Sequence, residues 1–269
     1  MNKKLRLILG YVILFIESIF LLLISFLMVF KFTVFDKSYV KGKFDNKYYE
    51  KMYKEIKTEM TYYTNQSGFE DSVIDDIFTL IDVKNASNKF ISSLYNGEKY
   101  ELNTSKIEDK LNNNINKYIK AQNFQVINQD DLNKFTKQIT SVYVDEIKLM
   151  GYLDGVCKYI PKIINLCDYL LLFLIVLLII LLIINKFIFK RRDYSVILYT
   201  SAFITIFILI SIKGSIDIKN LLVYSKTIST TIISIIKQVF NLLLVISLSY
   251  ILIGFIYSLF KRERRKHRY

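Results

Sequence analysis

The sequence predicts an all-α integral membrane protein: four transmembrane helices, with a mostly helical extracytoplasmic domain inserted between the first and the second. Three observations predict this fold class. Four stretches of the 269-residue chain are long and apolar, the segment 31–168 repeats its apolar residues at helical spacing, and 37 Lys and Arg outnumber 24 Asp and Glu. A net charge of +13 with 52% hydrophobic residues points to a membrane or a nucleic acid as partner.

The first predicted span covers residues 7–30, after a cytoplasmic tail at 1–6. Only Glu17 interrupts this stretch with a charge, and roughly 20 apolar residues suffice to cross a bilayer. The stretch is longer than the apolar core of a signal peptide, which has roughly 7 to 15 residues, and it ends without a small-residue cleavage site. We therefore predict an uncleaved anchor.

Three further spans are predicted at 169–185, 194–212 and 239–260: Tyr169 to Ile184 is apolar without a break, and the other two stretches are uncharged. Asp168 and Asn185 are the polar boundaries of the first of these. Because every backbone polar group in lipid must be satisfied within its own segment, stretches of this length are helices rather than strands.

The basic residues predict the orientation of the chain. Residues 1–6 hold three Lys and Arg, residues 186–193 hold four and residues 261–269 hold six, and all seven Arg lie in these segments. By the positive-inside rule they are cytoplasmic, as are both termini, and 31–168 lies outside. We expect a plasma-membrane protein, from a bacterium with an AT-rich genome, whose basic tail contacts the anionic inner leaflet.

A nucleic-acid partner is not expected. The segment 31–168, where a binding face would have to be built, contains 20 Lys and 20 acidic residues and is therefore neutral.

The segment 213–238 is predicted to be an outer loop. Lys residues interrupt its apolar residues, and this pattern allows two interpretations. It could form an amphipathic helix at the interface. It could equally be an early start to the last span, with Lys237 extending its amine to the membrane surface.

The segment 31–168 is predicted to fold into several helices around one core. One apolar stripe comprises Tyr49, Met52, Tyr53, Ile56, Met60 and Tyr63. Further helices are predicted over Asp71–Ile81, through Phe90 to the Asn96-Gly97 turn, from a capping box at Ser105 and Glu108, and from Asp131 onward. The adjacent pairs Tyr48 and Tyr49, and Tyr62 and Tyr63, cannot all face one way, so we expect some exposed rings, which hint at a partner surface.

The chemistry that the sequence offers is sparse. His267 is the single histidine, and no GxGxxG, GxxxxGK[ST] or GxSxG pattern occurs. We therefore predict no catalytic residues, no cofactor and no metal, and expect that the protein is not an enzyme.

Glu17 is the candidate intramembrane polar site. An ionisable group at membrane depth is costly and usually faces the bundle interior. We expect a hydroxyl partner such as Ser247, Ser249, Thr205 or Tyr250. The residue serves a proton relay, a contact to a partner subunit, or an interhelical hydrogen bond that fixes packing.

Lys190, Arg191 and Arg192, in the cytoplasmic loop KFIFKRRDY, are the candidate contact to a cytoplasmic partner. The order of one helix, an outer domain and three helices resembles the FtsX and MacB type of transport-ATPase membrane subunit, in which the loop after the second helix contacts the ATPase. The Gly-containing pattern that follows this loop in that family is missing from Arg191 to Ser201. The resemblance is thus one of topology over the whole chain.

Two functions remain open from the sequence. The first is a non-enzymatic membrane protein whose outer domain binds a protein, a peptide, an envelope component or a second copy of the chain. The second is the membrane subunit of a transporter driven by a cytoplasmic ATPase.

Overall fold

The structure is a computed structural model that describes residues 3–123, 128–148, 155–189, 193–215 and 225–266. Within these ranges the chain is helical and contains no strand. The helices are α1 (Lys3–Lys31), α2 (Lys37–Lys43), α3 (Asn46–Gln66), α4 (Leu80–Asn96), α5 (Ser105–Ala121), α6 (Gln129–Lys148), α7 (Ile160–Phe187), α8 (Tyr194–Ser215) and α9 (Lys226–Lys266).

The chain forms two compact units. The spanning unit comprises Met1–Asp36, Ile164–Leu221 and Ile233–Tyr269, and the helical domain comprises Lys37–Ile163 and Leu222–Ile232. The residues of α7 and α9 are divided between the two, since each helix begins in the helical domain and ends in the spanning unit.

Helices α1, α7, α8 and α9 are long and apolar enough to cross a membrane, as the sequence predicts. Each carries exposed large apolar side chains along its length, for example Phe15, Phe173, Phe207 and Phe255. Such surfaces are stable against lipid and costly in water, so the fold is consistent with a multi-pass membrane protein.

Small polar residues make up much of the buried surface of α1 and α8, which pack against each other. Ser18 and Ser25 are buried on α1, and Ser201, Ala202 and Thr205 are buried on α8. Short side chains allow helices in lipid to approach closely and gain van der Waals contact, where the hydrophobic effect offers little. An apolar cluster of Val29, Leu209, Val239 and Leu243 connects α1, α8 and α9.

Polar contacts join α1 to α7 near both ends of the spanning unit. Lys31 Nζ lies 2.7 Å from Asp168 Oδ1 at one end. At the other end the Arg6 guanidinium donates to the backbone carbonyl of Ile188. Because both side chains of the Lys31 pair are more than a third exposed, the pair contributes orientation more than stability.

The helical domain has its own apolar core, built from α3, α4, α5 and α6. The stripe predicted on α3 lines this core: Tyr49, Met52, Ile56 and Met60 are buried, and Tyr53 and Tyr63 pack against them in part. Tyr62 is 58% exposed, as expected for one of two adjacent tyrosines. The expectation is wrong for Tyr48 and Tyr49, which are both buried and pack edge to face with ring centroids 5.3 Å apart. Most apolar positions at helical spacing on α5 and α6 are buried as well, namely Ile107, Leu111, Ile115, Phe135, Ile139, Val142, Tyr143 and Ile147. Tyr118, Ile119 and Leu132, which the same spacing predicts to face inward, pack against the core only in part, and Met150 lies outside the described residues.

The helix predicted over Asp71–Ile81 is wrong. A short 3₁₀ turn covers Asp71–Ile74, and Asp76 takes a positive φ of 55°, a conformation that a helix cannot contain. Helix α4 then starts at Leu80, because Thr79 and Asp82 form a capping box in which each side chain accepts from the other residue's backbone N–H. The apolar side chains of the segment are buried nonetheless, including Val73, Ile74, Ile77 and Phe78.

Helices α4 and α5 begin or end close to the predicted positions. Gly97 ends α4 with φ 76°, in agreement with the Asn96-Gly97 turn. The capping box predicted at Ser105 is wrong, because Ser105 is the first helical residue and Thr104 precedes it as the cap. The side chain of Glu108 accepts from the Thr104 hydroxyl at 2.7 Å instead of reaching a backbone N–H.

The segment predicted to be a loop at 213–238 is helical at both ends. Helix α8 continues to Ser215, and α9 begins at Lys226 and runs through Lys237 without interruption. Residues 216–224 lie outside the described residues. The early start of the last helix is thus the alternative that agrees with the structure, because the Ser225 side chain caps the new helix by accepting from Ile228 N–H at 3.2 Å.

Candidate functional site

Glu17 is fully buried in α1, and its partner is an amide rather than the predicted hydroxyl. Asn185, in the last turn of α7, directs its Nδ2 at both carboxyl oxygens, 3.0 Å from Oε2 and 3.3 Å from Oε1. Each of the four hydroxyls proposed as partners is engaged elsewhere: Ser247, Ser249 and Thr205 with carbonyls of their own helices, and Tyr250 with Ser25 at 2.7 Å. The prediction of a hydroxyl partner is therefore wrong.

Asn185 was visible in the sequence only as a boundary of the second span. A hydroxyl on a helix can satisfy itself on the carbonyl four residues before it, whereas an amide has two donors and an acceptor and must reach another element. Asn185 Oδ1 is itself buried and has no hydrogen-bond partner among the residues that the structure describes. The pair thus leaves one acceptor open inside the spanning unit, where an unpaired polar group is costly.

Lys190, Arg191 and Arg192 lie outside the described residues. The contact predicted for them to a cytoplasmic partner stays a prediction.

A second cluster of titratable groups, which the sequence did not single out, lies in the helical domain. Glu146, near the end of α6, is 3% exposed although it is a carboxylic acid. Its burial raises its pKa, and so do the negative charges of three neighbouring acids: Glu55 and Glu59 on α3, and Asp145 on its own helix. Buried acids without a basic partner are uncommon in folded proteins, so this cluster is a candidate site.

Hydroxyl groups at the start of α9 satisfy one side of this cluster. The Thr227 hydroxyl donates to Glu55 Oε1 at 2.7 Å, and the Ser225 side chain hydrogen-bonds Glu146. Within the described part of the chain, the second carboxyl oxygen of both acids, Oε2, is buried without a hydrogen-bond partner. Glu55 and Glu146 therefore each have one hydrogen-bonded and one unsatisfied carboxyl oxygen.

Burial raises the pKa of Glu146 to about 7, with the negative charges of Glu55 and Glu59 adding to the effect. The pKa of Glu59 and that of Asp145 are also raised, in each case chiefly by burial. Glu146 can therefore gain or lose its proton near neutral pH. This is the chemistry that the cluster offers.

One weak signal of this site is present in the sequence. Glu55 and Glu59 lie four residues apart and thus share a face of α3, but charges at helical spacing are most often exposed. Tertiary packing brings Glu146 on α6 beside that face, where Glu55 and Glu59 remain partly exposed. Among the described residues, no group of three or more His, Cys, Asp or Glu is arranged to hold a metal ion.

Comparisons with known proteins give no family and no relative for this chain. No protein-family model, curated protein or solved structure matches it.

Proposed function

We propose that the protein is a non-enzymatic, multi-pass plasma-membrane protein whose helical domain lies on the extracytoplasmic side and binds a protein, peptide or envelope partner there. The observation that carries the proposal is the continuity of α7 and α9, each of which belongs in part to the helical domain and in part to the spanning unit. A helix is stiff over this length, so a partner bound to the domain acts on segments that continue into the membrane.

The core and surface of the helical domain support a role in binding rather than a role as a linker alone. The domain has an apolar core of its own, which a simple linker between spans does not need. Its surface carries exposed apolar side chains on separate helices, among them Tyr62 on α3 and Ile81 on α4. Exposed aromatic rings are favoured in protein interfaces because they bury a large area at small entropic cost.

Site-specific photo-crosslinking tests this function. A photoreactive amino acid replaces Tyr62 or Ile81 in the full chain in its native membrane, and adducts are identified by mass spectrometry. We expect a discrete adduct from at least one of these positions and none from the matched control, Phe207, which is 71% exposed on α8. Equal labelling at all three positions, or none in the domain, contradicts the proposal.

The alternative function is a membrane subunit of an ATPase-driven transporter, and the order of helices favours it. One span, a folded domain and three spans follow one another along the chain. The test is co-purification of a cytoplasmic ATPase that is lost when Arg191 and Arg192 are both replaced by Glu. The matched control is Arg262→Glu, which reverses an exposed basic charge on α9. Retention of the ATPase by both variants counts against this alternative.

A further inference from the structure

The acidic cluster binds the beginning of α9 through hydrogen bonds to the carboxyl groups of Glu55 and Glu146. We name residues 225–229 the latch segment. Its side chains Ser225, Thr227, Ile228 and Ser229 are all buried. The segment reaches α3 through Thr227 and Glu55, and α6 through Ser225 and Glu146.

Ser225 has two roles in this arrangement. Its oxygen accepts from Ile228 N–H and so caps α9, while its hydroxyl proton is free to point at Glu146. A hydroxyl used in both ways couples the start of the helix to the carboxyl group. Loss of the contact to Glu146 therefore loosens the first turn of α9 as well.

The opposite side of the cluster is unsatisfied. Among the described residues, Glu55 Oε2 and Glu146 Oε2 have no hydrogen-bond partner, although both atoms are buried. A buried neutral carboxyl group tolerates this at modest cost, but an ionised Glu146 is repelled by its acidic neighbours and lacks the water that would solvate it.

We propose that the latch segment is a proton-controlled device: it docks on α3 and α6 while Glu146 retains its proton, and it undocks when Glu146 is ionised and draws water. The device is independent of the partner proposed above, because every residue in it belongs to this chain.

The direction of the pH dependence follows from Glu146. Its pKa of about 7 in the docked state exceeds the 4.5 of an exposed glutamate. Docking is therefore fully favoured below pH 4.5 and is lost as the pH rises through 7. The full difference would change the docking equilibrium by a factor on the order of 10², which is an upper bound because Glu55, Glu59 and Asp145 stay beside Glu146 after undocking.

The other acids that face Glu146 act in the same direction, whereas the hydrogen bond from Ser225 favours the ionised carboxylate and partly offsets them. From α3 these are Glu55, Glu59 and the phenol of Tyr48, whose own pKa is raised by burial and by the negative charge of Glu146. From α6 the group is Asp145. The latch segment supplies only hydroxyls, since its one charged residue, Lys226, is exposed. Ionisation of any of the acids thus adds repulsion.

Hydrogen exchange of the full chain in lipid nanodiscs tests the proposal. The chelator EDTA is present throughout, and exchange is corrected for the intrinsic effect of pH. We expect the protection of the amides of Ile228 and Ser229 to fall at least about tenfold between pH 5.5 and pH 8, while the core of α5 stays protected.

Variants separate the latch from a general effect of pH. Glu146→Gln keeps the shape of the protonated side chain, so its latch segment should stay protected at both pH values. Thr227→Val, which removes the donor to Glu55, should lower protection at pH 5.5. The matched control is Glu50→Gln on the exposed side of α3, which should behave as the wild type.

Two results overturn the proposal. One is a pH dependence that is the same in the wild type and in Glu146→Gln, or that is absent from the wild type. The other is protection at pH 8 that returns on addition of Ca²⁺ or Mg²⁺ in the absence of EDTA, since a cation rather than a proton would then control the segment.

Discussion

Two buried glutamates show what a carboxyl group requires inside this protein. Glu17 in the spanning unit receives the Asn185 amide, and Glu146 in the helical domain receives the Ser225 hydroxyl. In neither place does a basic side chain supply the contact that is observed. Neutral donors hold a carboxyl group in either protonation state, whereas a buried Lys or Arg would fix it as an anion.

Substitution of Glu17 distinguishes packing from proton transfer. Glu17→Leu leaves the Asn185 donors unpaired in the bundle and should lower the stability of the spanning unit by about 1–3 kcal/mol, whereas Glu17→Gln retains an acceptor and should cost less. Thermal unfolding in detergent measures both. If Glu17→Gln is stable but the protein no longer binds its partner, the residue acts through its proton. If the variant is stable and still binds the partner, the role of Glu17 is structural.

The double variant Glu17→Leu with Asn185→Leu is the control. Removal of both partners of a buried hydrogen bond is nearly neutral when shape is kept, so the pair should recover most of the stability lost in Glu17→Leu. Additive losses would mean that the two side chains do not depend on each other.

At the scale of elements, α4 is defined by its ends. The Thr79 and Asp82 capping box begins it, and Gly97 in the left-handed region ends it. A Cβ at Gly97 would lie 2.9 Å from Cγ of Pro161, so this glycine also allows the close approach of the segment that leads into α7. The turn after α4 thus depends on Gly97 both for its positive φ and for the absence of a Cβ next to Pro161.

Gly97→Ala should destabilise the helical domain by about 1–3 kcal/mol, because it forces a positive φ on alanine and brings its methyl group against Pro161. The matched control is Gly42→Ala in α2, where nothing lies within 4 Å of the new Cβ and φ is not positive. Thermal unfolding followed by circular dichroism should show a loss for the first variant only. A loss of equal size in both would contradict this role of Gly97.

Packing of α8 on α1 depends on short side chains. Ser201→Leu places a large group at a fully buried position and should lower the free energy of unfolding of the spanning unit by about 1–3 kcal/mol. Ser249→Leu, on an exposed part of α9, is the control and should have little effect. Fluorescence-detected size-exclusion profiles in mild detergent report both. An unchanged profile for Ser201→Leu would contradict close packing at this position.

At the scale of the whole molecule, charge and apolarity divide the chain in the same way. The short segments next to the spans hold all of the Arg residues, and the segment 31–168 is neutral. Positive charge near a membrane resists transfer across it and is attracted by anionic lipid, which is the physical basis of the orientation that we propose.

Reporter fusions test this orientation. Alkaline phosphatase, which is active only outside the cytoplasm, should be active when fused after residue 123 and inactive when fused after residue 262. A fluorescent protein that folds only in the cytoplasm should be fluorescent when fused after residue 262. The opposite pattern at both positions would contradict the orientation and would move the helical domain to the cytoplasm.

Much of the architecture follows from the sequence alone. Four spans and the amphipathic stripes of α3, α5 and α6 are local patterns, because solvation by lipid or by a core acts on each helix separately. The predicted helix over Asp71–Ile81 fails because the same apolar pattern is also compatible with a turn, and Asp76 and Thr79 select the turn.

What only the tertiary structure decided is which polar groups meet. Asn185 and Glu17 are far apart in the chain, as are Glu55, Glu146 and Thr227, and no local period relates them. Their contacts arise when separate helices pack and exclude water, and the cost of burying a carboxyl group then selects the nearest donor. The sequence determined where the chain can be buried, and the packing of its helices determined which buried groups can bind or release a proton.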